Sequence, residues 1–223
     1  MMMNLFSSFD PCVTVNISMN WLSSFMLILL YPLSYYVIPS LNLMIYNKLI
    51  YNLMNEFKIM LTKFNYLNLL MFMSIFMFIF MNNFMGLFPY IFTSSSHLSF
   101  TMTLSLPIWL GCMIFGWFKN MEFMFSHLVP VGTPLFLMFF MVLIETISNL
   151  IRPLTLSVRL MANMIAGHLI ITLVSSVGVS LNLLSLMILI IIQIVLLLLE
   201  LSVAVIQAYV FMILLSLYSK ETN

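Results

Sequence analysis

Residues 183–219 read LLSLMILIIIQIVLLLLELSVAVIQAYVFMILLSLYS and contain one charged side chain, Glu200. The apolar residues form a continuous run, which is typical of membrane helices, whereas strands of a membrane barrel alternate apolar and polar residues. In hydrocarbon every backbone N–H and C=O group must be satisfied internally, and about 20 residues of helix cross one bilayer. This stretch therefore predicts helix embedded in a membrane.

The composition extends this prediction to the whole chain. Hydrophobic residues make up 64% of the sequence and charged residues only 6%, against about 25% charged residues in an ordinary soluble domain. Such a chain cannot cover a water-facing surface, so we predict an all-α polytopic membrane protein with a single membrane domain over residues 1–223. A net charge of +1 also argues against nucleic-acid binding, which needs a basic surface.

Four segments precede the long apolar end of the chain. Residues 1–20 form an N-terminal segment without the basic region of a secretory signal or the arginine-rich pattern of a transit peptide. Residues 21–38 are long enough for a first span, and residues 67–118 for two upright spans that are separated by a polar segment beginning at Thr93. Residues 46–65 place apolar side chains opposite polar ones at helical spacing, which predicts an interfacial amphipathic helix.

The lysines predict which segments share a side of the membrane. Lys48, Lys58 and Lys63 lie before the second span, and Lys119 lies after the third. An even number of crossings between them puts all four on one face. Because positive charge favours the cytoplasm-like side, we expect this face to be the matrix side if the membrane is mitochondrial.

Residues 134–219 are too long for two simple crossings. A continuous helix over residues 134–172 would extend about 58 Å, nearly twice a hydrocarbon core of about 30 Å, and residues 183–219 repeat this excess. Either each half breaks into shorter pieces, with Arg152-Pro153 as the obvious position, or both halves are long and steeply tilted helices. Proline is tolerated in membrane helices, so the residues alone leave both alternatives open.

Five charged or titratable side chains lie inside these apolar halves, where a central charge costs about 2.5–3.5 kcal/mol to insert. They are Glu145, Arg152, Arg159, His168 and Glu200. An internal salt bridge that only joins two helices would explain any one of them. Five together favour a functional site with partners or a water-filled cavity.

The spacing of three of these residues keeps them on one side of a helix. Glu145, Arg152 and Arg159 are seven residues apart, a spacing that drifts by only about 20° per step. Asn163 lies four residues after Arg159, one helical turn further along the same face. We expect the four side chains to share one helical face.

An antiparallel hairpin would bring polar residues of the two halves together. If the chain turns near residue 183, Arg159 lies opposite Gln207 and His168 lies opposite Glu200. Arginine is not deprotonated in proteins, so Arg159 would act as a fixed positive charge. Glutamate and histidine exchange protons, so His168 and Glu200 form a candidate proton relay in a hydrated cleft.

The sequence predicts no metal, cofactor or catalytic site. His97, His127 and His168 are scattered, and no carboxylate pair has the spacing of metal ligands. His168 alone does not supply the two facing histidines of a haem-binding electron carrier. Cys12 and Cys112 are far apart in sequence, and we interpret both as packing residues.

Four stretches resemble one known family. Residues 145–170, ETISNLIRPLTLSVRLMANMIAGHLI, resemble the signature helix of subunit a of F-type ATP synthases, and residues 199–211, LELSVAVIQAYVF, resemble its final helix. NNFMGLFPY at residues 82–90 and HLVPVGTP at residues 127–134 extend the resemblance over most of the chain. The resemblance implies a non-catalytic stator subunit whose two long, tilted membrane helices, in residues 134–219, lie against a ring of c subunits.

The same resemblance implies a proton-translocation site. Arg159 matches the family's essential arginine, which would hold a ring carboxylate ionised and prevent protons from crossing without rotation. Asn163 and Gln207 match the polar neighbours of that arginine. The implied partners are the c-subunit ring, other membrane and stator subunits of the ATP synthase, the lipid bilayer and protons, without nucleic acid.

Two half-channels are implied as well. His168 and Glu200 match the half-channel from the intermembrane space, and Glu145 matches the half-channel to the matrix. Histidine at position 168 with glutamate at position 200 resembles the mitochondrial version, which implies the mitochondrial inner membrane. Arg152 matches no required family residue. We expect its side chain to make a contact at the protein surface or with a lipid headgroup.

Two other function classes are weighed against this one. A stand-alone membrane transporter or ion channel would use the same buried charges to bind a substrate. A transporter of this kind would be expected to have inverted repeats and glycine-rich broken helices. The chain has six glycines and no internal similarity, which argues against this class. A membrane scaffold would leave the buried arginine, histidine and glutamates unexplained.

Overall fold

A computed structural model of the chain describes residues 5–12, 18–25, 32, 36–61, 68–88, 90–129, 134–178 and 181–221. Within these ranges the chain forms helices and no strand. The α-helices are α1 (Leu41–Met60), α2 (Asn68–Gly86), α3 (Leu98–Lys119), α4 (Met121–His127), α5 (Leu135–Val177) and α6 (Leu183–Glu221), and three short 3₁₀-helices cover Leu5–Phe9, Met19–Ser24 and Ser94–Ser96.

Four of these helices, α2, α3, α5 and α6, are long and apolar enough to cross a membrane, judged by length and composition. The helices α2 and α3 have 19 and 22 residues, close to the length of one upright crossing. The prediction of an all-α polytopic membrane protein is confirmed.

The helices α5 and α6 are each continuous over about twice that length. α5 has 43 residues and α6 has 39, so α5 extends about 65 Å. Pro153 lies inside α5 and is buried. The helix continues through it because α5 packs against α3 and α6, and neighbouring helices allow membrane helices to tolerate proline. The chain therefore adopts the long-helix alternative, and helices of this length fit a hydrocarbon core of about 30 Å only when they are steeply tilted.

The buried core lies where α2 packs against α6, with α5 on one side. Large apolar side chains recur every three or four residues along each helix, which gives each of them one apolar face. The core contains Phe72, Phe76 and Ile79 of α2, Leu156 and Leu160 of α5, and Ala208, Phe211, Met212 and Leu215 of α6. Most other apolar side chains of α5 and α6 point outward, where lipid or partner helices meet them.

The helix predicted to lie in the membrane surface begins earlier in the sequence than expected. We predicted residues 46–65, but α1 begins at Leu41 after extended Ser40 and ends at Met60, while residues 62–65 lie outside the described residues. The segment from Leu41 is helical because Pro39 precedes it and no breaker follows. Lys48 and Lys58 are exposed, and Phe57 is buried against Tyr209 of α6, with ring centroids 6.0 Å apart.

Half of the predicted first span falls outside the described residues. The first span was predicted at residues 21–38, of which residues 26–31 and 33–35 are not described. The described part contains the 3₁₀-helix Met19–Ser24, and the residues from Tyr36 to Ser40 are not helical.

The short helix α4 was not predicted from the sequence, because seven residues are too few for a periodic pattern.

Candidate functional site

Arg159 and Gln207 lie on the same side of the α5–α6 hairpin. Both line one small crevice between the two helices. The buried side chains of Leu156, Leu160 and Phe211 form its apolar floor. This geometry follows from the antiparallel packing, and it leaves the arginine side chain exposed at the helix surface.

The charge of Arg159 is not neutralised within the described part of the chain. No described aspartate or glutamate lies within ion-pair distance of its guanidinium. Gln207 contributes dipoles but no charge, and Asn163, one turn further along α5, is also neutral and is partly buried. The site thus presents a permanent positive charge with neutral polar neighbours and an apolar floor.

Glu200 of α6 packs against Gly167, the neighbour of His168 in the sequence, nearer the turn of the hairpin. Glu200 lies directly against the backbone of α5, because a Cβ atom added at Gly167 would be 2.6 Å from Glu200 Oε1. The nitrogen Nε2 of His168 and the oxygen Oε2 of Glu200 are both buried, and neither has a hydrogen-bond partner among the described residues. Buried polar atoms of this kind usually have protein or water partners, so these two atoms need a water molecule or a group of another chain.

A pair of charged side chains lies near the open end of the hairpin. Arg152 Nη2 is 3.7 Å from Glu145 Oε1, and the two side chains are 28% and 31% exposed, respectively. The Arg152 guanidinium also lies over the ring of Tyr218 on α6, 5.3 Å from its centroid. Our expectation of a surface or lipid-headgroup contact for Arg152 is corrected, since this side chain pairs with a predicted site residue and contacts the second helix.

A buried polar cluster beside α5 was not predicted from the sequence. Thr93, Asn82, Asn83 and the segment Ser94–Ser96 are all at most 6% exposed, and this segment packs against α2, α3 and α5. Asn82 Oδ1 accepts a hydrogen bond from Ser94 Oγ at 3.1 Å. Both amide atoms of Asn83 and the hydroxyl of Ser95 have no partner among the described residues.

The contacts of Gly86 place this polar cluster along α5. A Cβ atom added at Gly86 would be 2.9 Å from Thr93 Cγ2 and 3.3 Å from Met164 Cε, and Met164 lies between Asn163 and His168 in the sequence. The signal that could have located the cluster was the polar NN at the end of an apolar span followed by TSSS. Gly167 was also missed, and its signal was a small residue next to His168.

Groups of three or more potential metal ligands do not occur among the described residues. The candidate site therefore consists of a fixed positive charge, of carboxylates and a histidine that can carry protons, and of buried neutral polar groups.

Comparison with known proteins identifies the family. The sequence model of the family described as ATP synthase A chain matches residues 13–220. The chain is 55% identical to ATP synthase subunit a of Locusta migratoria over 223 residues, 99% of both proteins. It is 52% identical to the protein of the same name in Drosophila simulans and 53% identical to that in Anopheles gambiae, each over the full length of both proteins. The chain therefore belongs to the ATP synthase A chain family.

Proposed function

We propose that this chain is the proton-conducting stator subunit of the membrane sector of an F-type ATP synthase. The observation that carries the proposal is Arg159, an exposed guanidinium on a membrane helix with no ion-pair partner in the described part of the chain. A permanent charge in such a position needs an opposite charge or water. A carboxylate on a neighbouring ring of c subunits would supply that charge.

The remaining polar groups support two separate half-channels. From residue 145 to residue 168 the axis of α5 extends about 35 Å. At the steep tilt that fits α5 into a core of about 30 Å, this stretch covers about half of the core thickness, so Glu145 would lie nearer one membrane surface and His168 nearer the other. Glu200 lies at the level of His168 because it contacts Gly167. His168 and Glu200 would take up protons from the intermembrane space, and Glu145 would release them to the matrix.

In the proposed mechanism side chains of this chain bind and release protons, and no other covalent bond in the chain is made or broken. A proton passes from His168 and Glu200 to a ring carboxylate and neutralises it, so that this group can face lipid while the ring turns. On arrival at Arg159 the carboxylic acid gives up its proton by way of Glu145 and becomes the counter-charge of the guanidinium. Each charge that crosses the membrane field contributes about 2.3 kcal/mol per 100 mV, and this work drives rotation.

The location and partners follow from the same proposal. Histidine at position 168 with glutamate at position 200 supports a mitochondrial inner-membrane location, with Lys48, Lys58 and Lys119 on the matrix side. The outward-facing apolar surfaces of α5 and α6 would contact the c ring, other membrane and stator subunits of the ATP synthase, and lipid.

Access of a membrane-impermeant thiol reagent tests the two half-channels. Cys12 and Cys112 are first replaced by serine, and Glu145→Cys and His168→Cys are then made one at a time in the assembled complex. We expect position 145 to react from the matrix side and position 168 from the intermembrane space, because each would be in contact with water from one side only.

The control is Leu150→Cys. Leu150 is 64% exposed on the apolar surface of α5, so a thiol there should react from neither side, because the charged reagent stays in water. Reaction of positions 145 and 168 from the same side of the membrane would contradict the proposal.

A further inference from the structure

Arg152 occupies a position between the two helices of the hairpin. Its guanidinium is 3.7 Å from the Glu145 carboxylate on its own helix and lies over the Tyr218 ring on α6. Glu145 is two turns away along α5, so the two long side chains lean toward each other to meet. The ring of Tyr218 provides an electron-rich face at the distance at which cations bind aromatic rings.

This arrangement constrains the carboxylate more than an isolated ion pair would. Both charged side chains are about 70% buried in the chain alone, so water competes less for them than for a surface pair. The guanidinium thus has its charge beside the carboxylate and lies over the Tyr218 ring at the same time. The contact with Tyr218 ties this end of α5 to α6.

We infer that Arg152 is a positioning residue for proton release, which holds the Glu145 carboxylate beside α6 and places a fixed positive charge next to it. The inference rests on the proposed function of Glu145 and adds to it a residue that the family resemblance did not assign. The proton moves from the ring carboxylic acid to the Glu145 carboxylate and then to matrix water. Arg152 keeps its protons throughout, since guanidinium is not deprotonated in proteins.

A double-mutant cycle on the purified and reconstituted complex tests this inference. The variants are Arg152→Gln, Glu145→Gln and the two together, and the readout is the rate of ATP synthesis per assembled complex under an imposed proton gradient. We expect Arg152→Gln to lower the rate roughly fivefold, and to change it less than about twofold when Glu145→Gln is already present, because coupled residues are non-additive.

A conservative variant separates positioning from a structural role. Arg152→Lys retains the positive charge and should recover the rate to within about twofold of the parent complex, since the 3.7 Å ion pair with Glu145 depends on charge and not on a two-pronged hydrogen bond. Lys220→Gln is the matched control: it removes an exposed cation from the same end of α6 and should leave the rate unchanged.

The possible failures are distinguishable. If Glu145→Gln leaves the rate unchanged, the proposed release role of Glu145 is wrong, and the inference about Arg152 is overturned with it. If Glu145→Gln slows synthesis but the effects of the two substitutions multiply, or if lysine is no better than glutamine at position 152, only the role of Arg152 is overturned.

A further variant covers the case in which Arg152→Gln does not assemble. Tyr218→Leu removes the ring below the guanidinium and leaves both charges in place. It should slow synthesis about twofold when Glu145 is present and have no effect when Glu145→Gln is present. An equal effect in both backgrounds would overturn the inference.

Discussion

Arg152 and Arg159 lie two turns apart on the same helix, but their charges have different surroundings. Arg152 is about 70% buried and has a carboxylate at 3.7 Å and an aromatic ring beneath it. Arg159 is exposed beside neutral Gln207, above an apolar floor. Residue type and helical face therefore do not determine what a charge inside a membrane helix does, because the neighbouring side chains decide whether it is neutralised within the chain.

The two arginines also differ in whether their charge is available to a carboxylate of another subunit. The charge of Arg152 is already compensated, so a passing carboxylate gains little by approaching it. The charge of Arg159 has no compensating carboxylate in the part of the chain that the structure describes, so a carboxylate of another subunit gains the full interaction. Under the proposed function only Arg159 would interact with the ring, and each of the following experiments tests part of this contrast.

The largest effect is expected from Arg159→Ala. Removing one partner of a desolvated charge pair typically costs about 2–5 kcal/mol, so ATP synthesis should fall about 30-fold or more at 1.4 kcal/mol per factor of ten, beyond the roughly fivefold loss expected for Arg152→Gln. The measurement is the rate of ATP synthesis per assembled complex. Lys48→Gln, which removes an exposed cation from α1, serves as the control, and normal synthesis by Arg159→Ala would eliminate the contrast.

A smaller effect is expected at Gly167, which contacts the side chain of Glu200. Unlike Glu145, Glu200 has no ion pair among the described residues. In Gly167→Ala the added Cβ atom would lie 2.6 Å from Glu200 Oε1, too close without displacing the carboxylate. We expect roughly a tenfold loss of synthesis, since a 1 Å misplacement can cost up to about 100-fold.

The shorter side chain of Glu200→Asp should recover part of the loss caused by Gly167→Ala. Gly111→Ala is the matched control, because a Cβ atom there meets nothing within 4 Å. Equal activity of the two glycine variants would show that the close contact with Glu200 has no functional importance.

The smallest effect is expected for Tyr209→Phe, which removes the hydrogen bond from the Tyr209 hydroxyl to Glu56 Oε2 of α1. The bond is 3.3 Å long and exposed, so its loss should cost about 0.5 kcal/mol or less. The ring and its contact with Phe57 remain, so we expect a decrease of at most about 2 °C in the thermal midpoint of the complex. By contrast, Phe57→Ala removes a fully buried ring and should cost about 3–5 kcal/mol. A large loss for Tyr209→Phe would mean that a single exposed polar contact holds α1 in place.

Much of the fold followed from the sequence because hydrocarbon permits few alternatives. Continuous apolar runs had to become helices, and the lengths of these runs alone identified the segments that form α2, α3, α5 and α6. The hairpin register predicted that Arg159 would lie opposite Gln207, and both line one crevice. The register also predicted Glu200 opposite His168, and Glu200 contacts the adjacent Gly167. Their roles in proton transfer remain predictions.

Other features were decided only by the tertiary structure. The sequence left a break at Pro153 open, and the packing of α5 along the bundle keeps that helix continuous. The contact of Arg152 with Tyr218 was not predictable, because it joins residues on two helices and depends on the reach of long side chains. The burial of Ser94–Ser96 was not predictable either, since a short polar segment between two spans reads as an exposed loop until three helices enclose it. Local pattern determines which residues are helical, whereas contacts between distant parts of the chain decide which polar groups are paired and which remain available to a partner.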